Sequence, residues 1–182
     1  MRNLLSFITL LFLSLLANSQ SPKRIVKRLG SDPVFFVDSV NIDKSQLQDY
    51  KPEEIASVTV YKGKEATDIL GDDGKDGVVY IFTKKFAKKS YWNYFKSKSK
   101  EFSDRVPSPE ADSTIQYILN KRILTSNFEG DLMGIDDKVF KEIIFLDKET
   151  LASEYKITDK AFGVLIKSDI PENLYHGKKH FK

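Results

Sequence analysis

The sequence predicts an α+β protein of two tandem modules, each a small mixed β-sheet with short helices. Three observations predict it. One order of events (strand, turn, strand, short helix, turn, strand) occurs twice along the chain. From Val60 to Val79 and from Leu146 to Leu165 the spacing is the same, with "DGVVYIFTK" lying on "FGVLIKS" at an offset of 86. The runs read as strands are rich in β-branched and aromatic residues. Hydrophobic residues are 41% and charged residues 30% of the 182-residue chain, a globular balance that argues against overall disorder.

The elements follow in order. Residues 1–19 read as a secretory signal peptide: Arg2, an apolar run from Leu4 to Ala17, then small residues at Ala17 and Ser19. The run is shorter than the roughly 20 residues of a spanning helix. Residues 20–32 form a leader and 33–85 the first module. There Val34–Val37 is a strand, Pro52 opens a helical turn, Val58–Tyr61 is a strand, Glu65–Leu70 is a short helix and Val78–Thr83 is a strand. Residues 86–113 form a basic aromatic linker helix and a Pro-broken loop. Residues 114–169 form the second module, with strands at Ile115–Leu119, Ile143–Leu146 and Val164–Lys167 and a helix near Glu149–Tyr155. Matched Lys62/Lys148, Ala66/Ala152 and Gly77/Gly163 support a duplicated unit of roughly 50 to 55 residues. Residues 170–182 are a tail. Each module alone is small, so the two are expected to pack together or to join sheets, with the linker over the seam.

The composition narrows the chemistry. There is no cysteine, so disulfides, thiol chemistry and a lipid-modified N-terminal Cys are excluded. Formal net charge is +3, or +2 once Arg2 leaves with residues 1–19, so basic character is local. "GDDGKDG" from Gly71 has neither calcium-loop spacing nor the strand-to-helix setting of a phosphate loop, and reads as a tight turn. His176 and His180 lie four apart, but Gly177 argues against the helix that such a metal pair needs. No nucleophile, base or carboxylate pair stands out. The expectation is a non-catalytic protein without cofactor or metal.

From Lys84 to Lys100 there are seven lysines and no acid, interleaved with Tyr91, Trp92, Tyr94 and Phe95. Such a stretch binds single-stranded nucleic acid, sits on an anionic membrane, or packs its aromatics inward and keeps its lysines wet. An exported protein argues against nucleic acid. Tyr91, Trp92, Tyr94, Phe95, Lys88 and Lys89 are therefore the candidate partner or peripheral membrane contact.

"PVFFVDS", "PEEIASVTVYKGKEATDIL" and "GDDGKDGVVYIFTKK" together resemble the plug domain of TonB-dependent outer-membrane receptors, of the Bacteroidetes type. Pro33, Val37, Asp38, Ile55, Val58, Val60, Lys62, Ala66, Gly71, Gly74, Gly77, Val78, Ile81, Thr83 and Lys84 carry the resemblance. The second module carries it faintly, through Gly163-Val164. Ser39 stands where the family has Gly, and Leu70 where it has Tyr. No barrel-forming run of strands follows within these residues. The resemblance thus implies a plug-like fold and not transport. It implies a protein partner in the periplasm or at the periplasmic face of the outer membrane, with secretion from the cell as the alternative. The competing expectations are a membrane-surface adaptor using residues 86–102, and a hydrolase or metal-dependent enzyme with a concealed site.

Overall fold

The computed structural model describes residues 29–169. The residues read as a signal peptide, most of the expected leader, and the expected tail with His176 and His180 lie outside the described residues. The chain forms two four-stranded mixed sheets in an α+β fold, with strand orders β2-β1-β4-β3 and β6-β5-β8-β7. The first holds β1 (Val34–Val37), β2 (Val40–Ile42), β3 (Ile55–Tyr61) and β4 (Val78–Thr83), with helix α1 (Lys64–Leu70) between β3 and β4. Helices α2 (Lys84–Lys98) and α3 (Lys100–Arg105) follow. The second sheet holds β5 (Ile115–Leu119), β6 (Arg122–Ile123), β7 (Phe140–Leu146) and β8 (Phe162–Ser168). Helix α4 (Glu129–Met133) precedes β7, and α5 (Lys148–Thr150) runs on into a π-helical turn, Leu151–Tyr155. In each sheet the central pair is parallel and both flanking pairs are antiparallel.

The register corrects the expected repeat. Tyr61 faces Val78 and Leu146 faces Gly163; 146 minus 61 and 163 minus 78 are both 85, not 86. The bulges agree, falling between Ile55 and Ser57 in one sheet and between Phe140 and Glu142 in the other. So do Gly71 (φ 60°) and Lys156 (φ 61°), which both end their helices at positive φ, though only Lys156 is left-handed helical. A one-residue slip sends every side chain to the opposite face, so the matched identities are not structural equivalents. Gly163 corresponds to Val78, and Leu151 to Ala66.

A tether recurs where each parallel pair ends. Asp38 (φ 50°) accepts from the Thr83 amide at 2.7 Å and the Thr83 hydroxyl at 2.8 Å. Asn120 (φ 56°) accepts from the Ser168 amide and donates to the Ser168 carbonyl, both at 3.1 Å. The short hairpin strands β2 and β6 turn back at these residues. The sequence pattern did not reveal them, because two or three residues are too few to show alternation.

The cores sit on matching faces. Phe35, Val37, Val79 and Ile81 are buried in the first sheet beneath Leu29, Leu47 and Tyr50. Their counterparts Tyr117, Leu119, Val164 and Ile166 lie in a larger cluster with Tyr91, Phe95, Phe102, Val106, Leu124, Leu132 and Ile135. On the opposite face of the second sheet, Leu151 covers Ile118 and Leu165. Residues 86–113 are therefore more than a linker: α2 and α3 build much of the second core. α2 starts directly after β4, its first turn capped by the Thr83 hydroxyl, which accepts from the Phe86 amide at 3.1 Å. The sheets do not join. They meet through α4, which lies so close to β3 that a Cβ on Gly130 would stand 2.6 Å from the Ala56 carbonyl oxygen.

Candidate interaction surface

Helix α2 divides the basic aromatic stretch into two faces. Ala87, Tyr91 and Phe95 recur at helical spacing and are buried. Tyr91 packs edge-on against Tyr117 at 5.8 Å between ring centroids, and Phe95 edge-on against Phe102 at 5.7 Å. Neither ring is available to a partner, which corrects the expectation for Tyr91 and Phe95. A sequence run of aromatics looks continuous, but the helical period sends these two inward.

The other two aromatics are half-buried and hydrogen-bonded. The Trp92 indole N–H donates to the Val106 carbonyl at 2.8 Å, fastening α2 to the end of α3. The Tyr94 hydroxyl donates to Asp137 Oδ1 at 2.9 Å, and the Lys98 ammonium reaches the same oxygen at 2.6 Å. Burial, then the Asp137 bond, raises the Tyr94 phenol well above its ordinary range. The Lys98 bond, then the Tyr94 bond, lowers Asp137. Tyr94 thus ties α2 to the loop that enters β7.

The lysines point elsewhere. Lys85, Lys89 and Lys96 are exposed and Lys88 is half-buried. The Lys96 ammonium lies over the Trp92 ring, 4.7 Å from its centroid. Of the six candidates, Lys88, Lys89 and part of Trp92 share one outward stripe. Lys85 and Lys96 belong to it as well, and helical spacing from Lys85 would have found them.

The acidic turn is a structural element here. Gly71–Gly74 is one 3-10 turn, and a Cβ on Gly74 would stand 2.2 Å from the Ala66 carbonyl oxygen. The Asp76 carboxylate accepts from the Ser31 hydroxyl at 3.2 Å and the Asp32 amide at 3.0 Å, holding the entry to β1. Among the described residues, no group of three or more His, Cys, Asp or Glu is placed to hold a metal. None of the described helices is long and apolar enough to cross a membrane.

A second surface was not singled out by sequence. β3 and β7 are seven-residue edge strands. β3 has α4 seated against its bulge. β7 pairs with β8 alone, and among the described residues no strand pairs with its other side. Ile143, Ile144, Phe145 and Leu146 along it are half-buried. Only Lys141 and Glu142 are exposed on it, paired with Asp169 and Lys167. Alternation marks a strand but not its place in a sheet, so sequence could not identify an edge.

No family model matches the chain, and neither a curated protein nor a solved structure matches it.

Proposed function

We propose that this is an exported, non-catalytic, plug-like protein that acts as a protein–protein interaction module, in the periplasm or at the periplasmic face of the outer membrane. The partner adds a strand to the outer edge of β7. The open edge of β7 carries this reading. A long apolar edge with unpaired backbone donors and acceptors is an association hazard that folded proteins shorten, cover or charge. β2 and β6 are short, and β3 is approached by α4. β7 is long and guarded only by Lys141 and Glu142 at its start. An added strand satisfies its backbone groups and finds apolar side chains at alternate positions. The signal-peptide pattern and the resemblance of residues 33–85 to receptor plugs support the location.

The test places a photo-crosslinking residue at Glu142, and in a control at exposed Lys75, in the native envelope. A discrete adduct from position 142 alone is expected. The captured partner should then slow amide exchange in β7 and leave β3 unchanged. Adducts that are absent, or equal from both positions, overturn the reading.

A further inference from the structure

The outward face of α2 carries a basic stripe, on an element other than β7. Lys85, Lys88, Lys89, Trp92 and Lys96 recur at i, i+3, i+4, i+7 and i+11, which places them within one stripe of the helix. The stripe beside it, Ala87, Tyr91 and Phe95, is locked in the core, so the facing of the helix is fixed by packing. The stripe is about 16 Å long. Exposed Glu110 is the neighbouring acid: its carboxyl is lowered chiefly by a Ser108 bond and its own backbone, with smaller contributions from Lys88 and Lys85.

The chemistry of the stripe narrows its partner. It holds lysines and no arginine, so it offers point charges without the bidentate forks that recognise one defined carboxylate or phosphate. It lies along a convex helix. The only ring in it, Trp92, keeps its N–H on Val106 and is covered by Lys96, so stacking on a base or inserting into acyl chains is not what it is built for. A row of positive charges on a convex, locked helix fits a diffuse plane of negative charge. We propose that this face of α2 docks the protein electrostatically on anionic lipid headgroups at a membrane surface. The docking is peripheral and salt-sensitive, and it rests on the envelope location proposed above but not on the β7 contact. It also replaces the aromatic half of the expected contact, since Tyr91 and Phe95 have no part in it.

The experiment measures binding of the folded protein to vesicles of neutral lipid alone, and to vesicles with an added anionic fraction, at low and high salt. Each lysine near such a surface is worth roughly fivefold in affinity. The Lys85→Glu/Lys89→Glu/Lys96→Glu variant should therefore bind anionic vesicles at least about a hundredfold more weakly. A control variant, Lys51→Glu/Lys75→Glu/Lys121→Glu, changes net charge equally at exposed sites elsewhere and should keep most of the binding. Both variants are checked for unchanged thermal melting. Absence of wild-type binding to anionic vesicles at low salt overturns the proposal. So does an equal loss in both variants, which would make net charge the cause. If soluble polyglutamate binds to the stripe and vesicles do not, the partner is an acidic polypeptide and the lipid assignment fails.

Discussion

The two modules share strand order, register, edge bulge and the tether at Asp38 or Asn120, yet they fill their interiors differently. In the first, the helix residue over the sheet is the small Ala66, and the strands supply bulk through Val78 and through Phe36 stacked on Tyr80 at 4.8 Å. In the second, the helix supplies Leu151 and the strands recede to Gly163, Ile118 and Leu165. Volume has moved from strand to helix with the backbone plan unchanged. The covers differ too: a 3-10 turn carrying Leu47 lies over the first core, while α2, α3 and α4 lie over the second. The lesson is that hydrogen-bond register and turn geometry define the module, while the packing volume is free to be redistributed.

The largest expected effect separates the two cores. Phe95→Ala empties a fully buried site and should cost about 3–5 kcal/mol in urea unfolding. Hydrogen exchange should place the loss in β5 and β8. Equal loss in β1 and β4 would mean the sheets unfold as one unit, and the comparison of separate cores would fail.

The volume exchange is open to a double-mutant cycle. A Cβ on Gly163 would meet Leu151 Cδ2 at 2.8 Å and Leu146 Cβ at 3.2 Å. Gly163→Val should thus destabilise by about 1–3 kcal/mol through overpacking, and Leu151→Ala by about 2–5 kcal/mol through a cavity. Together they recreate the pair at positions 66 and 78, so the double variant should recover about 1 kcal/mol or more relative to additivity. Strict additivity would show that the two positions do not compensate.

A smaller, stabilising effect is expected in the first hairpin. Asp38 and Ser39 both have positive φ, 50° and 71°, as a two-residue turn of the primed kind requires. Ser39 is exposed, and Ser39→Gly should relieve strain and raise stability by about 0.5–1 kcal/mol, read from thermal melting. In the second hairpin only Asn120 needs such relief, so Lys121→Gly should bring no gain.

The smallest effect is the pH dependence of the Tyr94–Asp137 tie. Asp137 is held below its ordinary range by Lys98 and Tyr94. Its contribution is thus present above the usual carboxylate pKa and lost as pH falls through the lowered value. Tyr94 is held above its range by burial and by Asp137, so its part is present below the usual tyrosine pKa and lost as pH rises through the raised value. Asp137→Asn should flatten the acid limb of the melting curve and bring the Tyr94 ionisation, followed by absorbance, to lower pH.

Much of the fold was legible in sequence because alternation and β-branched runs report strands directly. Val34–Val37, Ile115–Leu119 and Val78–Thr83 were read to the residue. The repeat was visible, but its offset was one residue out, for an instructive reason. Gly77 and Gly163 share an identity and not a role. Gly77 serves a φ of 107° and the approach of Leu29, whereas Gly163 makes room for Leu151. Matching glycine to glycine therefore moved the alignment by one. The candidate surface was legible in composition and not in direction, since lysines interleaved with aromatics do not state which side of a helix each takes. The open edge of β7 was not legible, because strand order depends on long-range pairing.

The seating of α4 against β3 has a consequence for assembly. A molecule with two long open edges has a valence of two and can be strung head to tail without limit. Here α4 meets β3 at its bulge, at Ala56 and Ser57, and β2 and β6 are short. Among the described residues no strand pairs with the outer side of β7. Under the strand addition proposed above, the two long edges would be unequal acceptors, and an incoming strand would meet least obstruction at β7.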